Sequence, residues 1–231
     1  MTTAVSISAQ QKATAIAVLF HLIGLLGILL YDQTLFAALT PFNLLLSAGL
    51  LIYTQKEKNI AFFLFVSVCA VIGFLVEYIG VNFHWLFGEY RYLKAMGIQW
   101  KGVPLVIGIN WFIIMYCCAV SVQMLLNFMW NRLRNEEQPY RNNVGFVAVI
   151  LDAALLATFF DWIMEPVAVQ LGYWEWLGNG TIPMLNYVSW MLISALLMLL
   201  FRLLSFDKHN QFAVNLLLIQ FMFFLILRTL L

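Results

Sequence analysis

Four acidic residues of this chain stand in or at the end of apolar runs, where an ion is costly: Glu77, Asp152, Asp161 and Glu165. An ionised carboxylate within a bilayer costs about 2.5–3.5 kcal/mol on the mildest scale, so each needs a partner or a task. Two of them, Glu77 and Asp161, open stretches that look like copies of one another. The first reads EYIGVNFHWLFGEYRYLKAMGIQWKGVPLVIGINW and the second DWIMEPVAVQLGYWEWLGNGTIPMLNYVSW. In each, a glycine follows eleven residues after the acid (Gly88, Gly172), and then two alternating aromatics (Tyr90 and Tyr92; Trp174 and Trp176). A proline opens the next apolar run (Pro104, Pro183), and a tryptophan stands seven residues beyond it (Trp111, Trp190). Either two helix hairpins use similar interface residues, or one functional hairpin is duplicated, as in membrane repeat folds.

Two carboxyls in a dry, aromatic-rich place suit acid catalysis on an apolar molecule. Desolvation and a nearby carboxylate both favour the neutral form of a carboxyl, which can then act as a general acid. An apolar substrate that accepts a proton is an alkene. Protonating a trisubstituted terminal double bond leaves a tertiary carbocation, which the faces of Trp and Tyr stabilise by about 0.5–2 kcal/mol each. Water then adds to give a tertiary alcohol, or a proton is lost, or a nearby double bond closes a ring. A carboxyl that keeps its proton is also a weaker acid. Preorganised dipoles and rings must therefore stabilise the cation as it forms.

The elements that hold these residues follow from composition. Of 231 residues, 64% are hydrophobic and 10% charged, with a mean hydropathy of +0.91. A soluble domain carries about 25% charged residues, so this is a polytopic membrane protein. A net charge of +1 argues against a nucleic-acid partner. Cys69, Cys117 and Cys118 fall in apolar runs with no metal or disulfide spacing and read as small core residues. The twenty phenylalanines and eight tryptophans either face lipid or line a site for a large apolar molecule.

Apolar runs at about 13–31, 35–54, 59–79, 104–130, 144–163, 183–204 and 210–230 each approach the roughly 20 residues a spanning helix needs. Only helices satisfy their own backbone there, so the expected fold is all-α, with seven transmembrane helices in one integral membrane domain over 1–231. The repeat units are residues 59–130 and 144–204, two parallel hairpins formed by the third and fourth and by the fifth and sixth helices. The polar residues 1–12 are too mildly charged, and the next run too long, for a cleaved signal peptide.

With the N-terminus cytoplasmic, Lys12, Lys56, Lys58, Arg132, Arg134, Arg141, Arg202 and Lys208 lie inside, against Arg91, Lys94, Lys101 and Arg228 outside. That split favours N-in and C-out, in a bacterial inner membrane. The two motif loops, about 80–103 and 164–182, then share one face. At about 1.5 Å per residue, Glu77 and Asp161 sit at matched depth, roughly 26 Å from the cytoplasmic end of their helices. Glu165 shares a face with Asp161 if the helix continues to Pro166. Asp152 is expected near mid-membrane, hydrogen-bonded to an amide such as Asn43, Asn127 or Asn215.

The pattern E-x-x-G, F-G-x-Y-x-Y, G-V-P and W, followed by D-x-x-x-[acid]-P, G-x-W-x-W, I-P-x-x-N and W, resembles the carotenoid biosynthesis membrane proteins. That family includes the carotenoid 1,2-hydratases: the lycopene, gamma-carotene and bisanhydrobacterioruberin hydratases. The resemblance covers about residues 73–190, and its second motif is the more specific. It implies cofactor-free addition of water across the terminal C1–C2 double bond of an acyclic carotenoid of the lycopene or gamma-carotene type. By position it marks Glu77, Asp161 and Glu165 as acids, and Tyr90, Tyr92, Trp174, Trp176 and Asn186 as lining. Trp111 and Trp190 join the lining as the matched tryptophans. Two positions depart from the family pattern: Glu165 stands where an aspartate is expected, which moves the carboxyl, and Ser189 where a glycine is expected.

Asn82 and His84, in the first loop, are candidates to hold the attacking water, against the reading that they are solvated interfacial residues. His21 reads as hydrogen-bonded within the bundle, and Arg91 as a snorkelling anchor in preference to a partner of Glu89 or Glu175. Gly102 and Pro104, like Pro183, read as helix starts. Three scattered histidines make no metal site. Besides the carotenoid and the bilayer, other carotenoid enzymes are candidate partners. A lycopene cyclase also begins with alkene protonation, but its product keeps the substrate mass. A transporter or receptor is the other class. Against a retinal receptor, no lysine lies within an apolar run; against ion transport, the carboxylates lie near one face without a continuous polar path.

Overall fold

The structure is a computed structural model and describes residues 7–133, 145–178 and 180–231. Arg134 and Arg141, counted above for orientation, lie outside the described residues. The chain forms α1 (Ala9–Leu30), α2 (Gln33–Ala38), α3 (Thr40–Thr54) and α4 (Ile60–Phe83), then β1 (Tyr90–Tyr92), β2 (Gln99–Trp100) and β3 (Val103–Pro104). It continues with α5 (Ile107–Leu133), α6 (Phe146–Gln170), β4 (Trp174–Trp176), α7 (Met184–Leu203) and α8 (Gln211–Leu230). Side chains that accept from first-turn N–H groups start several helices. Ser8 and Gln11 form a capping box on α1, Asp32 caps α2, Asn59 caps α4 and Asn210 caps α8.

Six described helices, α1 and α4 to α8, are long and apolar enough to cross a membrane. The 35–54 run is not one span. It breaks at Leu39 into the short α2 and the 15-residue α3. Pro41, in the first turn of α3, has no N–H to continue the preceding helix. At about 1.5 Å per residue, α3 reaches roughly 22 Å, short of the 30 Å hydrocarbon.

The α2–α3 pair nevertheless returns the chain to the end where α1 began. Gln33 Nε2 donates to Gln170 O at the far end, whereas Gln10 Nε2 donates to Thr54 O at the near one. Asn59 Nδ2 to Ser205 O, and Phe212 N to Gln10 Oε1, tie the turns of that near end together.

Helix α5 is the core. Every residue from Trp111 to Val120 is fully buried, and α5 packs against α3, α4, α6, α7 and α8. A helix apolar all round belongs at the centre of a bundle. Small residues let α4 approach it closely. A Cβ on Gly73 would fall 2.4 Å from the Trp111 side chain, and one on Gly108 2.3 Å from Ala70 O.

Helix α6 continues through Pro166 to Gln170. Proline removes the hydrogen bond to the carbonyl four residues back, that of Trp162. Arg228 Nη1, from α8, donates to Trp162 O at 2.9 Å, and its guanidinium lies 4.3 Å from the Trp162 ring. The last turns of α6, which carry Asp161 and Glu165, are thus pinned from a neighbouring helix.

Asp152 corrects an expectation. It stands in the second turn of α6, exposed, and hydrogen-bonds to no described residue. Asn127 Oδ1 accepts from Gln123 instead, and Asn215 Nδ2 donates to Thr14. Pro183 does cap α7, but Pro104 lies in β3, and α5 begins three residues later.

Candidate active site

Helices α4 and α6 carry Glu77 and Asp161 to the same end of the bundle, and Glu165 follows one turn beyond Asp161. All three side chains are buried and line one small cavity. Glu77 accepts on both oxygens: Oε2 from Tyr90 Oη at 2.5 Å and Tyr92 Oη at 2.8 Å, and Oε1 from Trp111 Nε1 at 2.9 Å. Glu165 Oε2 accepts from Trp174 Nε1 at 3.1 Å and Trp176 Nε1 at 3.0 Å. Asp161 Oδ2 accepts from Asn186 Nδ2 at 2.8 Å. Asp161 Oδ1 and Glu165 Oε1 accept from no described residue, so each acid of α6 keeps one oxygen open.

Trp111 and Asn186 donate from helices α5 and α7, and the other four donors come from a structure that neither loop makes alone. Strand β1, from the first loop, pairs antiparallel with β4, from the second, in the register Tyr90↔Trp176, Arg91↔Glu175, Tyr92↔Trp174. Alternate residues of a strand face opposite sides. Tyr90, Tyr92, Trp174 and Trp176 therefore all point into the bundle, and their rings meet across the ribbon, Tyr90 to Trp176 at 5.3 Å and Tyr92 to Trp174 at 5.7 Å. On the outer side Arg91 pairs with Glu175, which corrects its reading as a lone anchor. The matched glycines turn each chain into its strand. Gly88 (φ +115°) and Gly172 (φ +69°) have a backbone that other residues adopt only with strain.

Burial, and after it the Glu77 carboxylate, hold the Tyr90 and Tyr92 hydroxyls well above the ordinary tyrosine range. Both therefore remain hydrogen-bond donors at any physiological pH. Trp111 and Trp190, the two tryptophans seven residues past the prolines, stack face to face at 4.2 Å and 10° and form another wall. Among the described residues, no Lys, Arg or His side chain lines the cavity. Its free volume is about 20 Å³, room for one water. A site walled by carboxyl oxygens and ring faces repels anions and favours a developing positive charge.

The structure thus brings together Glu77, Asp161, Glu165, Tyr90, Tyr92, Trp111, Trp174, Trp176, Asn186 and Trp190. It does not bring Asn82 or His84 there. Asn82 is exposed and donates to Tyr78 O and Lys101 O, and exposed His84 ends α4 in a left-handed conformation (φ 58°). Both departures from the family pattern have a local use. The longer arm of Glu165 reaches two indoles, and Ser189 Oγ donates to Leu86 O, tying α7 to the first loop. Sequence reasoning gave no role to Phe87, Ile107, Asn110 and Met164, which also line the cavity. Asn110 alone carried a signal, as an amide in an apolar run beside Trp111.

Two comparisons with known proteins bear on this site. A family model described as carotenoid biosynthesis protein matches residues 34–231. The chain is also similar to the bisanhydrobacterioruberin hydratase of Haloarcula japonica, at 24% identity over 213 residues, 86% of this chain and 67% of that protein. No solved structure matches it.

Proposed function

The chain belongs to the carotenoid biosynthesis protein family, and from that premise we propose that it hydrates the terminal C1–C2 double bond of an acyclic carotenoid, without a cofactor. Asp161, in its acid form, gives its proton to C2, and the tertiary cation forms at C1. The faces of Tyr90, Trp176 and the Trp111–Trp190 stack stabilise that cation. A water beside Glu165 adds to C1, its proton passes to Glu165 and from there back to Asp161, so the enzyme is restored. Glu77 keeps its three donors and with them the shape of the wall.

One observation carries this reading: the only open carboxyl oxygens among the three acids, Asp161 Oδ1 and Glu165 Oε1, belong to one helix face on an aromatic cavity of one-water volume. A carboxyl with a free oxygen can present a proton to a ligand, whereas both oxygens of Glu77 are already engaged. The similarity to a bisanhydrobacterioruberin hydratase supports hydration over other reactions of a terminal alkene. The setting is an integral membrane protein in which the α2–α3 pair makes a seventh crossing, with the N-terminus cytoplasmic and the C-terminus outside. The hairpins α4–α5 and α6–α7 are copies of one parallel unit.

The test is expression in a host that makes lycopene or gamma-carotene, with mass analysis of the pigments. Hydration yields a product heavier by one water, and Asp161→Asn abolishes it while the protein stays in the membrane. Normal hydroxylated pigment from that variant refutes the role of Asp161. A product of unchanged mass points to the cyclase reaction.

A further inference from the structure

The acid cavity has room for a water and none for the end of an isoprenoid chain, so a substrate must come in through a wall that gives way. Two further cavities mark such a wall. An inner one, of about 60 Å³ free volume, shares Asn110, Met164 and Trp174 with the acid cavity. An open groove of about 270 Å³ between α1 and α8 shares His21 and Phe223 with the inner cavity. We propose that this groove is the lateral doorway through which a linear polyene chain passes from the bilayer to the acids, with the His21–Phe223 ring pair as its door.

The proposal rests on the hydratase reading for its occupant and on the following geometry for its place. The groove is walled by Val18, Leu22 and Leu25 on α1 and by Leu218, Met222 and Ile226 on α8. Both helices are long and apolar enough to span, so the mouth opens onto lipid tails. A long hydrocarbon loses about 25 cal/mol for each Å² it exposes to water, so it stays in the bilayer and leaves sideways. The opposite approach is closed, since the β1–β4 ribbon roofs the acids with four buried rings.

The door has one fixed and one movable leaf. His21 is tied to its own helix by Nδ1 to Ala17 O at 2.8 Å. Phe223, only partly buried, meets His21 edge-on at 5.6 Å and Phe224 edge-on at 5.3 Å, and no hydrogen bond can tie its ring. Beside it Gly24 presents bare backbone, where a Cβ would lie 3.8 Å from Phe223 Cε2. A change of the Phe223 rotamer joins groove and inner cavity. Within that cavity Asn43 Oδ1 and Gln220 Oε1 have no hydrogen-bond partner among the described residues, and they can accept from the hydroxyl of an alcohol on its way out.

The test uses the full chain in phospholipid nanodiscs, with lycopene as a quencher of a fluorescent label. The native cysteines are buried, so a dye reacts with an introduced cysteine. Leu22→Cys puts the dye at the groove mouth, and Leu196→Cys puts it on an exposed face of α7. Saturable quenching at Leu22→Cys, with only a shallow linear loss at Leu196→Cys, is the expected result. Equal quenching at both sites means that lipid tails alone fill the groove, and it overturns the doorway. In carotenoid-producing cells, filling the groove with Val18→Trp and Met222→Trp should lower hydroxylated pigment by about tenfold or more, while Leu196→Trp leaves it unchanged. Unaltered yield from the filled groove also overturns the proposal. If the unmodified protein makes no hydroxylated pigment, the hydratase reading falls, and the quenching result still decides the doorway.

Discussion

The hairpins α4–α5 and α6–α7 carry similar features in the same order and divide the polar work unequally. Each brings an acid to the end of its first helix, a positive-φ glycine, an aromatic strand and a tryptophan on its second helix. Matched elements meet each other across the site: strand against strand, in an antiparallel register that crosses Tyr90 to Trp176 and Tyr92 to Trp174, and Trp111 against Trp190. The first hairpin, however, has one acid with three donors, two of them phenols. The second has two acids and gives them indoles and one amide. Where α6 carries Glu165, the matched position of α4 is Val81. One side of the cavity is therefore saturated and holds its shape, and the other keeps two oxygens free. A common backbone plan does not make the two acids equivalent.

The sharpest way to break that comparison is to neutralise each acid in turn. Asp161→Asn should lower hydroxylated carotenoid by about 10²–10⁴-fold, the usual worth of a general acid, with normal membrane abundance. Glu77→Gln should act first on the fold, because an amide nitrogen cannot accept from the tyrosines and the indole. Its thermal unfolding should fall by about 1–3 kcal/mol, with activity per folded molecule largely kept. A stable but inactive Glu77→Gln protein would make the two acids functional equals.

Trp111→Phe removes one donor from Glu77 and trims the stack with Trp190, and should cost about 1–2 kcal/mol in the same melting experiment. Glu165→Asp shortens the arm that reaches both indoles, and should slow hydration by only about tenfold, since the carboxyl remains. The smallest effect belongs to the outer face of the ribbon. Arg91→Ala breaks an exposed ion pair and should change stability by less than about 1 kcal/mol, as surface pairs do. A larger loss there would mean that the pair sets the strand register.

Much of the site was legible because its signals are local. An acid in an apolar run is costly wherever the chain goes, and the alternating aromatics of Y-x-Y and W-x-W stand out beside each acid, although the strands that carry them did not show in the sequence. The break at Leu39 was hidden, because Pro41 is as compatible with the first turn of a helix as with a run of apolar residues. Arg91 read as an anchor in preference to a partner of Glu175, because nothing local shows that loops 84 residues apart pair as strands. Asn82 and His84 stood close to the acid in sequence, but the end of α4 turns them outward.

From its residues alone the chain specifies apolar helices, two acids at matched depth with a third a turn beyond, and a set of rings spaced to serve them, because hydrophobicity and the cost of a bare charge act on each segment separately. Which donor meets which carboxyl, and which oxygens stay open, depends on a ribbon between two distant loops and on helices close enough for Trp111 to reach both Glu77 and Trp190. Those contacts exist only once packing has paid the entropy of bringing the segments together.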